Sequence, residues 1–247
     1  MEENSIFKKI IKRNVLFFIL VLVIALIGLI ILKYHVEGEQ NMPFDLSEIL
    51  VVSTAEGNQK EETGDNNWNV DIYQTNDVYL NIKKNKNYKD TEIIKNIEIK
   101  NINIDEKPSI GKIELYVPSN ENEIYNYEEN HKINSNIVFD GDKKSDIKNL
   151  KISNQGGTIV FRIVNKTGKE YISNDEELKH DGTLLQKAEV NNEDIKAKIS
   201  FDIVITLESG VSFSGKITIE IPVDDVTTQG VTNLDKKDMK DVVFKRQ

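Results

Sequence analysis

The chain has 247 residues, no cysteine and a formal net charge of −9. The lack of cysteine excludes disulfides, thiol catalysis and cysteine metal sites. The acidic charge argues against nucleic acid as a partner and against docking onto anionic lipid.

The first segment with a clear pattern runs from Val15 to Leu32 and contains no charged residue. At 1.5 Å per residue, an α-helix of this length covers about 27 Å, close to a hydrocarbon core of roughly 30 Å. A lone span in lipid must satisfy its own backbone, so the pattern predicts a transmembrane helix over residues 15–34. We favour an uncleaved anchor over a cleaved signal peptide, because no small-x-small cleavage site follows the apolar run.

The charges around this segment predict its direction in the membrane. Four basic residues stand just before it: Lys8, Lys9, Lys12 and Arg13. The first 33 residues hold five Lys or Arg and two Asp or Glu, a net of +3, which leaves −12 for the remainder of the chain. The positive-inside rule then places residues 1–14 in the cytoplasm and the domain after residue 34 outside the cell.

A link over residues 35–42 leads into a region patterned for strands. The apolar run Ile49–Ser53 predicts a buried strand, and the polar residues 55–66 predict an exposed loop. Residues 68–72 and 78–82 alternate between apolar and polar side chains around Gln74–Asp77, which predicts a hairpin turning at that tetrad. Trp68 shares the apolar side of its run and is expected in the core, while Tyr73 and Tyr79 are expected to pack across the turn.

Further strands follow along the chain. The apolar parity changes near Lys100–Asn101, which predicts a β-bulge. Shorter strands are predicted at 113–117 and 137–139, and a central strand at 158–164, where both faces carry apolar residues. Residues 184–188 fit either a short helix or a strand.

The strongest alternation lies between Lys196 and Pro222, where two long runs flank Glu208–Gly210 and predict an antiparallel hairpin. Nine or ten strands in all predict an antiparallel β-sandwich of Ig-like or jelly-roll topology over residues 43–223. The alternative is two small sandwiches divided near residues 119–146. Residues 224–247 are expected to form a polar tail, with an edge strand near Val242–Phe244 as an option.

The sequence contains no motif of a known catalytic site and no phosphate-binding glycine loop, and we assign no catalytic or cofactor-binding residue. An acidic cluster at Asp140, Asp142 and Asp146 is a weak candidate for calcium, which binds carboxylate oxygens in loops. The competing interpretation, which we favour, is that these residues simply form turns.

Two stretches resemble the exterior domain of a family of single-span membrane proteins from clostridial bacteria, of the Firmicutes, with no assigned function. They are YHVEGEQNMPFDLSEILVVSTAEG at residues 34–57 and WNVDIYQTNDVYLNIKKN at residues 68–85. The resemblance implies a bacterial cell-membrane setting and brings no activity or ligand with it.

The functional expectation is therefore a binding or envelope-complex assembly module held in the lipid bilayer. Its partner would be another envelope protein or a wall polymer. The alternative is a calcium-dependent sensor or an envelope enzyme that uses the acidic loops.

Overall fold

The computed structural model describes residues 2–37, 42–64, 67–88, 91–117, 132–133, 136–141, 150–174 and 178–247. The chain begins with a long helix, α1 (Glu2–Glu37). Its segment Lys12–Ile31 has a mean hydropathy of 3.2, and none of it is buried by the remainder of the chain. Val15 is 51% exposed and Phe18 is 72% exposed. As predicted, α1 is long and apolar enough to cross a membrane.

Strands dominate the described residues after α1. In chain order the strands and short helices are β1 (Phe44–Gly64), β2 (Asn67–Lys84), β3 (Ile94–Glu106), β4 (Lys112–Tyr116), β5 (Lys132–Ile133), β6 (Ile137–Asp140), β7 (Leu150–Lys151), β8 (Gly156–Ser173), α2 (Thr183–Lys187), β9 (Lys198–Leu207), β10 (Ser212–Glu220), α3 (Val226–Gln229), β11 (Thr232–Lys236) and β12 (Lys245–Arg246). A 3-10 turn, Asn192–Ile195, precedes β9.

These strands form two six-stranded sheets within the described part of the chain. The first sheet has the order β11-β1-β2-β8-β4-β5, and the second has the order β12-β10-β9-β3-β6-β7. Neighbouring strands are antiparallel, except that β6 and β7 are parallel. The predicted antiparallel β-sandwich after an N-terminal helix is confirmed.

The core lies between the inner faces of the two sheets. Phe161 on β8 and Phe201 on β9 meet edge to face, with their ring centroids 5.4 Å apart. Alternate residues of β9 point inward, so that Ile199, Phe201 and Ile203 are almost fully buried. Buried residues from Met42 to Phe244 belong to one core cluster, so both sheets share a single interior.

Several local predictions are confirmed. The pairing of β3 with β9 shifts register between Lys100 and Asn103, and Asn101 has a φ of 54°, which marks the predicted bulge. The β9–β10 hairpin turns at Glu208–Gly210, with Gly210 at a φ of 85°. Trp68 is half-buried against the core.

The predicted hairpin turn at Gln74–Asp77 is wrong, because β2 runs through these residues without a break. Side chains that usually favour turns find partners inside the sandwich. The Gln74 amide donates to Ser53 Oγ at 3.3 Å, and the Asn76 amide donates to the Ile163 carbonyl at 3.2 Å. Tyr73 and Tyr79 therefore lie six residues apart on one strand, about 20 Å, and do not pack across a turn.

The predicted exposed loop at residues 55–66 is also wrong. β1 continues as far as Gly64 and pairs with β2 until Gly64 lies opposite Asn67, so the two strands form one long hairpin. Gly57 fits here because an added Cβ would lie 2.5 Å from Leu178 and 2.8 Å from Val70. Cross-strand pairing therefore outweighs the polar composition of this stretch.

Residues 224–247 supply an edge strand to each sheet. β11 pairs with β1 in the first sheet, and β12 pairs with β10 in the second. Phe244 is buried and lies against Gly215, where an added Cβ would be 3.1 Å from the aromatic ring. The stretch expected to be a polar tail is thus part of the sandwich.

Candidate functional site

A cleft of about 710 Å³ opens at the side of the sandwich, where an edge of the first sheet approaches an edge of the second. One wall is β11. The opposite wall is the end of β10 together with the residues that lead into β9 and those that follow β10. The cleft exists because the edge strand β11 and the end of β10 that β12 leaves unpaired belong to different sheets, and a short connection that carries α3 joins them.

Both walls present strand edges without a neighbour among the described residues. β12 pairs with β10 only at Phe213 and Ser214, so the stretch from Lys216 to Glu220 is paired on its β9 side alone. β11 likewise pairs with β1 alone. Free edges carry backbone N–H and C=O groups that another extended chain can bind.

The floor of the cleft is apolar and its rim is charged. Ile219, Ile221 and Val223 line the floor and are 2%, 5% and 3% exposed. On the rim, Lys198 Nζ lies 3.3 Å from Glu220 Oε1 and 3.8 Å from Glu106 Oε1. This combination suits an extended peptide whose alternate side chains enter the cleft or remain at the rim.

Other rim lysines also pair with carboxylates of the chain itself. Lys196 Nζ lies 2.5 Å from Glu193 Oε1, and this hydrogen bond, with the charge of Asp224, raises the pKa of Lys196. Lys236 Nζ lies 2.6 Å from Asp241 Oδ2. Exposed ion pairs are screened by water and contribute little to stability, so these charges can be exchanged for groups of a partner.

A second polar feature, which we call the Arg162 cluster, lies on the outer face of the first sheet. It consists of Arg162, Asp77 and Glu56. Arg162 Nε and Nη2 donate to the two carboxylate oxygens of Asp77 at 2.6 Å and 3.0 Å, and Nη1 donates to Glu56 Oε1 at 2.7 Å. The Arg162 side chain is only 7% exposed. The bidentate geometry holds β2 and β8 in register at the centre of the sheet.

A neighbouring network on β4 and β8 joins Glu114, Tyr116 and Lys166. Lys166 Nζ lies 2.7 Å from Glu114 Oε2, and Tyr116 Oη donates to the same oxygen at 2.9 Å. The hydrogen bond with Glu114 raises the pKa of Lys166. Burial raises the pKa of Tyr116, and the hydrogen bond to Glu114 adds to the shift. Both donors therefore stay protonated at neutral pH, and the arrangement acts as a structural clamp.

Sequence patterns did not single out either network. Arg162 is a charged residue inside an otherwise apolar predicted strand, and this departure from the pattern is the one feature of the sequence that indicates a buried ion pair there. Its partners lie 85 and 106 residues away in the chain. No local spacing connects them.

Of the acidic cluster predicted as a calcium candidate, only Asp140 lies among the described residues. Asp140 ends β6 and is half-buried, whereas Asp142 and Asp146 fall outside the described residues. Within the described ranges, no group of three His, Cys, Asp or Glu side chains is placed to hold a metal ion. Calcium binding at this cluster stays a prediction.

The residues predicted to anchor and orient the chain all fall on α1. Val15, Lys12 and Arg13 are exposed along the helix. Lys8, Lys9 and Leu32 lie in the same helix, but their side chains are outside what the structure describes.

Comparison of the chain with protein-family models, curated proteins and solved structures gives no match.

Proposed function

We propose that this chain is a single-span protein of a bacterial cell membrane whose β-sandwich serves as a binding or assembly module of the cell envelope. The observation that carries the proposal is α1, an exposed apolar helix separated by only four residues from the described start of the sandwich at Met42. The basic residues before the apolar segment support a cytoplasmic N-terminus and a domain on the outer side.

The cleft between β10 and β11 is the surface that best fits a partner. Its two strand edges offer backbone hydrogen bonds, its floor offers apolar contact, and its rim offers exchangeable charges. An extended segment of another envelope protein satisfies all three, because strand addition uses main-chain bonds for affinity and alternate side chains for selectivity. The glycan strands of a wall polymer have no peptide backbone and would leave the strand edges unsatisfied.

Site-specific crosslinking in intact cells tests this function. The chain has no cysteine, so Thr218→Cys and Asn233→Cys each place one thiol on a wall of the cleft. Val138→Cys serves as the matched control, because Val138 is 47% exposed on β6, away from the cleft.

We expect a thiol-to-amine crosslinker to give one defined adduct from both cleft positions and none from the control. Mass spectrometry should map both crosslinks to one short segment of the same partner. Recovery of monomer alone from the cleft positions, or the same adducts from Val138→Cys, would contradict the proposed role of the cleft.

A further inference from the structure

The end of the sandwich nearest α1 is built from segments that are distant in sequence. We call it the anchor-side end and define it as residues 42–45, 83–88, 91–95, 151–156, 208–212 and 245–247. Backbone contacts join these segments: Phe44 pairs with Lys84, Lys83 pairs with Gly156, Ile94 N donates to the Asn154 carbonyl, Glu208 N donates to the Ile93 carbonyl, and Gln247 N donates to the Ser212 carbonyl.

This end is basic, although the whole chain carries −9. Its seven basic residues are Lys83, Lys84, Lys86, Lys95, Lys151, Lys245 and Arg246, and its three acidic residues are Asp45, Glu92 and Glu208. Seven positive and three negative charges give a local net of +4. All seven basic side chains are exposed.

Most of these cations lack a carboxylate partner among the residues that the structure describes. Apart from Lys151, none of the seven forms an ion pair with a described residue. The lysines at the opposite end of the sandwich behave differently, since Lys60 lies 2.8 Å from Asp71 and Lys198 lies 3.3 Å from Glu220. Within the described part of the chain, the remaining six, which are Lys83, Lys84, Lys86, Lys95, Lys245 and Arg246, are therefore exposed cations that can bind an external anion.

The tether holds this end close to the bilayer that receives α1. Glu37 ends the helix and Met42 opens the described domain, so the chain between them spans at most about 18 Å. α1 also approaches β12 to within 8 Å between Cα atoms. The exposed pair Lys245 and Arg246 thus lies beside the helix.

We propose that the anchor-side end docks onto the phosphate groups of anionic lipids in the same bilayer that holds α1. The inference rests on the membrane anchoring proposed above. The average composition argues against docking onto anionic lipid, but most of the negative charges lie elsewhere on the domain. Each lysine near an anionic surface shifts the ratio of docked to undocked domain about fivefold, so three together shift it roughly a hundredfold.

Energy transfer in reconstituted vesicles tests the docking. The full chain carries one donor dye at Asn87→Cys on the anchor-side end, and the acceptor dye is attached to lipid headgroups. Vesicles contain either phosphatidylcholine alone or phosphatidylcholine with about one third phosphatidylglycerol. The test variant is K83Q/K84Q/K86Q, and the matched control K107Q/K169Q/K216Q removes three exposed lysines elsewhere on the domain. Unfolding followed by Trp68 fluorescence verifies that both variants remain folded.

We expect higher transfer in anionic vesicles than in neutral ones, a loss of that difference in K83Q/K84Q/K86Q and its retention in the control. The difference should also fall at high salt, because exposed charges are screened. Equal transfer in both lipids, or equal losses in the two variants, would overturn the docking. Flotation of the vesicles in alkaline carbonate reports the anchor separately: if the chain does not float, the anchoring itself fails, whatever the dyes show.

Discussion

Replacing Arg162 with methionine removes the cation that holds two carboxylates on the outer face of the first sheet. The Arg162, Asp77 and Glu56 side chains are 7%, 14% and 30% exposed. Breaking a buried ion pair by removing one partner costs about 3–5 kcal/mol, since the remaining charge stays desolvated. Glu56 can rehydrate, whereas Asp77 is left nearly buried. We therefore expect the free energy of unfolding to fall by about 3 kcal/mol.

The lone tryptophan, Trp68, reports unfolding because it is half-buried against the core. The assay is a urea titration of the full chain in detergent, compared with Lys107→Met, which alters an exposed lysine. The triple variant R162M/D77L/E56L should recover most of the loss, because apolar groups of similar size leave no unpaired charge. A loss below about 1 kcal/mol for Arg162→Met, typical of a surface ion pair, would refute the reasoning.

Three further changes test the core, the network on β4 and β8, and a turn. Phe201→Ala removes the ring that meets Phe161 across the two sheets and should cost about 3–5 kcal/mol in the same titration. Glu114 raises the pKa of Lys166. The contribution of this ion pair to the free energy of unfolding is therefore fully present below about pH 10.5 and is lost as the pH rises through the raised pKa. Wild type should thus lose more stability than Lys166→Met as the pH rises from about 10 to about 12, and equal losses would contradict this role. Gly210→Ala should cost about 1 kcal/mol, because Gly210 has a φ of 85° in open space; an unchanged urea midpoint would argue against strain at this turn.

The sequence predicts those features that depend on local periodicity. Eighteen uncharged residues suffice to predict α1, and two alternating runs around Gly210 suffice for the β9–β10 hairpin, because side-chain period and turn chemistry are local properties. The bulge near Asn101 can be predicted because the apolar residues switch there from odd-numbered to even-numbered positions of the strand. The sandwich class follows from counting such runs.

The remaining features depend on contacts between distant residues. Gln74 and Asn76 resemble turn residues until their amides are seen to bond Ser53 and the Ile163 carbonyl inside the sandwich. The cleft depends on which strands lie at or next to the edge of each sheet, and strand order is a long-range property that periodicity cannot supply. The anchor-side charge was hidden for the same reason, since an average of −9 says nothing about which lysines meet in space.

Membrane anchoring with the sandwich outside the cell is the central claim, and cysteine accessibility tests it most directly. Ser5→Cys and Lys107→Cys each add one thiol to a chain without cysteine. In intact cells, a membrane-impermeant maleimide should label Lys107→Cys, whereas Ser5→Cys should react only after permeabilisation, and both variants should resist extraction by alkaline carbonate. Labelling of Ser5→Cys in intact cells, protection of Lys107→Cys, or release of the chain by carbonate would contradict the account.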